Sequence, residues 1–372
     1  MESTLAPQSD APAAQRLYVC KCGNAIFFRN SLCIVCRAPL GYDPESGVLL
    51  PLRPAATSGL WEADVEQWPP RQYLRCENLD SPAGCNWLIP VDQENPPTLC
   101  VACRLSRTIP DLSVPGNAEK WRRIEVGKRR LVSSLLRLKL PVLSRVTEDP
   151  QGVAFDFLSS LPEGPAVLTG HEDGIITVNI DEAEDARREE IREQMNEPYR
   201  TILGHLRHET GHYYWDRLIA GGELLEQFRA LFGDDRQDYD AALQRHHANG
   251  PPLGWSGSFV SAYATAHPWE DWAETWAHYL HMIDTVDTAS SFNLMLGRPE
   301  VSSDAFDASV LCQPQGGEPA FLPLINEWVQ MTPALNELSL SMGLHDFYPF
   351  VLSGPVVTKL HFVHVAIHTG KR

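Results

Sequence analysis

The stretch "LGHLRHETGHYYWDRL", residues 203 to 218, sets His208, Glu209 and His212 in a His-Glu-x-x-His order. On a helix, residues four apart are offset by about 40°, so both imidazoles face one cleft and can share a metal ion. Glu209, one step around, is placed to hold a water rather than the metal. Leu203, Leu206 and Tyr214 lie on the opposite side and give the helix an apolar back to bury. His205 lies on the ligand side a turn earlier and reads as a surface or supporting histidine.

A zinc centre that does chemistry keeps three protein ligands and one open position. The residues after His212 run "YYWDRLIAGG" and lack the Gly and His of the metzincin pattern, so the third ligand must come from further along. The segment "AHPWEDWAETWAHYLHM", residues 266 to 282, predicts a helix opened by Pro268 with Glu270 and Asp271 in its first turn. Glu270 and Glu274 share one face, and Trp272, Trp276 and Tyr279 share the other. Glu270 can bind the metal while Glu274 accepts the outer ring N–H of a ligand histidine. Glu223 is a nearer acid and stays open as an alternative to Glu270. Gly204 and Gly211 on the first helix, with Ala273 and Ala277 on the second, suit the close approach that a shared ion demands. His278 and His281 continue the second helix as supporting or core residues.

Eight of the nine cysteines precede residue 104 in two groups: Cys20, Cys22, Cys33 and Cys36, then Cys76, Cys85, Cys100 and Cys103. Both groups end in Leu-Cys-x-x-Cys-Arg, which reads as an internal duplication. A Cys-x-x-Cys turn aims two thiolates at one tetrahedral ion, and a second pair across a short hairpin closes the site. Units of about 40 residues rarely hold together on a core alone, so the metal contributes to folding. We therefore expect zinc ribbons over 16–52 and 70–112, behind a disordered tail over 1–15. The first pair is spaced Cys-x-Cys in one group and Cys-x8-Cys in the other, so the second site is the less regular. Cys312 stands alone and reads as a buried thiol.

The elements around these residues follow from composition and pattern. The chain has 372 residues and a formal net charge of -17. Residues 1–150 carry 18 Lys/Arg against 16 Asp/Glu, and residues 151–372 carry 13 against 32. The acidic C-terminal part argues against nucleic acid as its ligand. Neither a secretory signal nor an apolar run long enough to span a membrane is present, which predicts a cytoplasmic protein with reduced thiols. The segment between the cysteine groups reads as a linker with a short tryptophan-bearing strand. Residues 117–143 predict a helix broken near Gly127, with Lys128, Arg129 and Arg130 on a solvated face. Strands follow in "GVAFDFL" and "AVLTGHEDGIITVNI", then two helices, the second starting near Pro198 and stopping at Gly221-Gly222. The tail predicts a last helix after Pro355, with His361, His364 and His368 on its faces.

The stretches "ITVNIDEAEDARREEIREQMNEPYRTILGHLRHETGHYYWDRLI" and "HPWEDWAETWAHYLHM", behind paired Cys-x-x-Cys-Arg segments, resemble the gluzincin metallopeptidases. They more closely resemble a bacterial family of zinc-binding metallopeptidases with an N-terminal zinc-ribbon region. The resemblance implies an α+β fold: a zincin-like metallopeptidase domain over 117–370, mainly helical with a small sheet, preceded by two small zinc-ribbon β modules. It implies Glu270 as ligand and Glu274 as its support. It also aligns Tyr263, seven residues before Glu270, with an oxyanion-stabilising tyrosine; His246, His247 and His267 stay open for that role. The gap of 57 residues between His212 and Glu270 is longer than in the best-known gluzincins. The implied activity is peptide hydrolysis by a zinc-activated water with Glu209 as general base. The cofactors are one catalytic and two structural Zn²⁺, and the partners are a peptide or protein substrate and a protein held by the ribbons. Two other readings are a non-catalytic ribbon adaptor on a zincin scaffold and an amidase acting on a non-peptide amide.

Overall fold

The computed structural model describes residues 16–66, 68–92, 94–160, 167–194, 200–294, 305–312 and 318–369; the tail expected over 1–15 lies outside the described residues. A hairpin of β1 (Tyr18–Val19) and β2 (Ala25–Ile26) opens the β-rich N-terminal region. Five antiparallel strands then pair in chain order: β3 (Leu40–Asp43), β4 (Val48–Pro54), β5 (Trp61–Ala63), β6 (Gln72–Arg75) and β7 (Leu88–Pro90). The tryptophan strand β5 is the middle of this sheet, so the segment read as a linker is built into it. Its residues Trp61 and Ala63 pack on Leu50, Leu52, Tyr73 and Leu88, a small core drawn from both halves. The halves are joined again where Tyr42 N–H donates to Asn86 O at 2.9 Å and the Tyr42 and Trp87 rings lie 4.9 Å apart.

The C-terminal region is mainly helical around a four-stranded sheet. Strands β8 (Ser106–Thr108), β9 (Ala154–Leu158), β10 (Gly170–Glu172) and β11 (Ile175–Asn179) are ordered β10-β11-β9-β8, with β10 the antiparallel edge and the others parallel. Helix α1 (Asn117–Arg137) runs unbroken through Gly127, where a break was expected. A Cβ at 127 would lie 3.4 Å from Ile202 and Leu206 side-chain methyls, so this glycine serves the contact with a neighbouring helix rather than a stop. Lys128 and Arg129 are 0% and 4% exposed instead of solvated. Glu125, one turn earlier, supplies the countercharge: Lys128 Nζ pairs with it at 2.6 Å, and Arg129 donates to Ala83 O at 3.0 Å, tying the helix to the ribbon region. Arg130 pairs with Asp284 at 2.8 Å.

Helices α2 (Asp185–Gln194), α3 (Ile202–Leu218), α4 (Leu225–Phe232), α5 (Tyr239–Asn249), α6 (Pro268–Ser291), α7 (Glu318–Ser341) and α8 (Gly354–Thr369) complete the region. The core centres on α3 and α6 and is filled by Trp272, Trp276, Tyr214 and Leu206. The terminal helix α8 is buried over most of its length, so His361 and His364 face the core while His368 is exposed: His361 Nδ1 accepts from Cys312 N–H at 3.0 Å, and His364 Nδ1 meets Tyr279 O–H at 2.8 Å. Cys312 is buried, as read from the sequence. Among the described residues, no helix is long and apolar enough to cross a membrane.

Candidate metal centres

Helix α3 starts at a Thr201 cap, whose side-chain oxygen accepts from Gly204 N–H at 2.9 Å; the expected start near Pro198 lies outside the described residues. Capping by Thr201 satisfies one orphan N–H of the first turn and fixes the rotation of the helix. Helix α6 starts at Pro268, as its sequence predicts, with His267 as the cap: Nδ1 accepts from Trp269 N–H at 3.1 Å. The two helices touch because residue 211 is glycine. A Cβ there would lie 2.9 Å from Ala273 Cα, and Trp272 Nε1–H donates to the buried Gly211 O at 2.8 Å.

This contact brings His208, His212 and Glu270 together. The two Nε2 atoms are 3.2 Å apart; His208 Nε2 is 3.0 Å from Glu270 Oε2, and His212 Nε2 is 3.4 Å from Glu270 Oε1. Donor atoms facing one another at such range repel unless a metal ion, or protons on the imidazoles, join them. A tetrahedral zinc site with N/O bonds of ~2.0–2.1 Å needs donor separations of about 3.3 Å, and the three side chains fit. Glu223, the alternative acid, is exposed in the turn after α3.

Glu274 Oε1 accepts from His208 Nδ1 at 2.7 Å, and Ser261 O–H donates to Glu274 Oε2 at 2.6 Å. That fixes the His208 tautomer with its Nε2 lone pair toward Glu270 and His212. Burial alone would raise the Glu274 carboxyl, but the His208 hydrogen bond and charge bring it down to about 2. Burial likewise opposes ionisation of Glu270, yet His212 and His208 outweigh it and hold this carboxyl well below its usual value. Glu209 is 8% exposed, and burial raises its carboxyl above the ordinary range against the pull of His208 and His212.

Of the residues considered for an oxyanion, Tyr263 stands beside the centre, its ring 5.9 Å from that of His208. His267 is spent on the α6 cap, with Nε2–H toward Gln237 O; His246 faces Thr265, and His247 is exposed. Tyr239 was missed in the sequence: its O–H donates to Glu270 Oε1 at 2.6 Å from the start of α5, 31 residues away in sequence. Burial, then the Glu270 charge, keeps both phenols protonated. Trp269, 4.0 Å from His212 ring to ring, and His171 of β10, at 6.2 Å, wall the same imidazole. No spacing rule points to Tyr239 or His171, which chain crossings bring in, whereas Trp269 arrives with its neighbour Glu270 on α6. His205 pairs with Glu182 at 2.6 Å, His278 meets Tyr348 O–H at 2.6 Å, and His281 faces Arg207, so all three serve as supports.

The cysteines form two clusters with no disulfide among them, Cys20, Cys22, Cys33 and Cys36 in one and Cys76, Cys85, Cys100 and Cys103 in the other. Sulfur separations are 3.5 Å for Cys20 and Cys36, 3.8 Å for Cys22 and Cys33, and 3.6 Å for Cys85 and Cys100. Zn–S bonds of ~2.3 Å in a tetrahedron need about 3.8 Å, so both donor sets suit zinc. The second cluster, less regular in spacing, is the more deeply buried. In the first, the side chain and backbone N–H of Asn24 bring the Cys22 thiol down to about 6, toward the thiolate that a metal needs.

Comparison with known proteins matches these two regions separately. Residues 17–114 match a zinc-ribbon domain, and residues 117–366 match a family described as "Putative zinc-binding metallo-peptidase". A protein of Mycobacterium bovis and proteins of two Mycobacterium tuberculosis strains, each described as uncharacterized, are 43% identical over 348 residues, 93% of this chain and 93% of theirs. No solved structure matches. With the latter match covering most of its length, the chain belongs to the family described as "Putative zinc-binding metallo-peptidase", and a zinc-ribbon domain precedes the matched region.

Proposed function

We propose that the chain is a zinc-dependent peptidase of gluzincin type, with a zincin-like domain over 117–370 behind ribbons over 16–52 and 70–112. The observation that carries this reading is the His208, His212 and Glu270 donor set at zinc spacing, with the buried Glu209 carboxyl next to His208 on the same helix. A zinc ion at these three side chains would supply Lewis acidity to a water and to a substrate carbonyl. Glu209 takes the water proton and passes it to the leaving amine, a role suited to a carboxyl raised by burial. Glu274 holds His208 in orientation, and Tyr239 holds Glu270. Tyr263, protonated and beside His208, donates to the oxyanion as the carbonyl becomes tetrahedral. The cysteine clusters hold two structural zinc ions, and the ribbon region presents a surface for a protein partner. The protein works in the cytoplasm, where its thiols stay reduced.

Glu209→Gln tests the reading. Metal analysis of wild type and variant should each find about three zinc ions per chain, one removable by mild chelation. Hydrolysis of a peptide library by the variant should fall at least about a hundredfold. Equal hydrolysis by both proteins would refute the assignment of Glu209, and biological activity unchanged in the variant would favour the adaptor.

A further inference from the structure

A cavity of about 870 Å³ opens between the loop after β2, α1, α2 and the first turn of α3. Five arginines line it, Arg16, Arg29, Arg123, Arg130 and Arg188, against one carboxylate, Asp185. Their countercharges are shared. Asp284 serves Arg16 at 2.6 Å, Arg130 at 2.8 Å and Arg207 at 2.8 Å; Asp185 serves Arg188 at 2.5 Å and Arg123 at 3.6 Å; and Glu119 serves Arg123 at 3.0 Å and Arg122 at 2.7 Å. Arg29 forms no ion pair with a described residue, and the Nε of Arg16, a residue only 5% exposed, has no hydrogen-bond partner among the described residues. A chain of net charge -17 thus holds a local pocket of surplus guanidinium charge.

Two further features favour an anion. Ile202 and Leu203 line the cavity from the opening turn of α3, where backbone N–H groups lack helical acceptors and the dipole is positive. Phe27, Phe28 and Phe292 supply flat apolar walls beside the charge. The volume falls in the range of about 300–1,000 Å³ that holds one small molecule. A phosphate monoester carries about -1.5 to -2 charge and three acceptor oxygens, which suits guanidiniums converging from several elements better than a carboxylate does.

We infer that this cavity binds a small phosphate ester with an aromatic body. The site is separate from the His208 centre and does not depend on the peptidase reading. Calorimetry on the full zinc-loaded chain in about 0.15 M salt tests it, with phenyl phosphate, benzoate and phenol as probes. Phenyl phosphate should bind one per chain with a Kd of ~1 mM or tighter, benzoate more weakly and phenol not at all. Arg29→Glu, at an exposed position without an ion pair, should weaken phenyl phosphate at least tenfold with thermal unfolding unchanged. Phe27→Ala, at a half-exposed ring, should weaken phenyl phosphate but not inorganic phosphate. No saturable binding, equal affinity in Arg29→Glu, or benzoate binding as tightly as phenyl phosphate would each overturn the inference. Hydrolysis enters none of these readouts, so failure here leaves the peptidase proposal untouched.

Discussion

Replacing Gly211 with alanine should separate the two helices that meet at the His208 centre. The added Cβ would lie 2.9 Å from Ala273 Cα, 3.2 Å from Trp276 Cδ1 and 3.3 Å from Ala273 Cβ. Carbon atoms rest at about 3.5–4.0 Å, so α3 must move from α6 by roughly 0.6 Å. The nearest atom is backbone and cannot rotate away. Overpacking of this kind costs about 1–3 kcal/mol, and alanine returns about 1 kcal/mol of helix propensity, leaving a net loss of about 1 kcal/mol. The effect on metal should be larger, since ligand distances tolerate only about 0.2 Å. Chelator competition should show the removable zinc bound at least tenfold more weakly, with the cysteine-held zinc unchanged, and urea unfolding should give the stability loss. Gly127→Ala is the contrast: its Cβ meets only side-chain methyls at 3.4 Å, so it should be neutral or stabilising by up to about 1 kcal/mol. Wild-type zinc affinity in Gly211→Ala would refute the claim that this close contact sets the ligand spacing.

Other perturbations probe the supports. Glu274→Gln removes the anionic acceptor of His208 Nδ1–H and should lower zinc affinity about 10–100-fold in the same competition assay. Lys359 Nζ pairs at 2.6 Å with Asp271, which is 0% exposed, so Lys359→Met strands a buried carboxylate and should cost about 3–5 kcal/mol in denaturant unfolding. Adding Asp271→Asn should recover much of that loss. Glu182 is buried against His205, Thr169 and Arg200; burial opposes its ionisation, but His205 and the other partners bring its carboxyl from 4.5 to about 2. Its folded value lies below the unfolded one, so its contribution of about 3 kcal/mol is present above pH ~4.5 and is lost as pH falls towards ~2. Unfolding titrations of wild type against Glu182→Gln should show a difference that shrinks over that window.

Much of the site was legible because its parts are local. The four-residue spacings of His208 with His212 and Glu270 with Glu274 follow from helical rise and rotation, and the paired Cys-x-x-Cys turns follow from the geometry of a tetrahedral ion. Pro268 at a helix start needs nothing from the rest of the chain. Tertiary structure decided what local rules do not reach. It placed Glu270 rather than Glu223 beside the two histidines by seating α6 on Gly211, and it drew Tyr239 and His171 there from separate elements. It made the linker strand β5 the middle of one sheet, because Trp61 needed Tyr73 and Leu88 from the second half to bury against. It also turned Lys128 and Arg129 inward and kept α1 intact through Gly127. Spacing along the chain therefore fixed which atoms can point the same way, whereas helix packing and shared countercharges, which pair residues distant in sequence, fixed which of them meet.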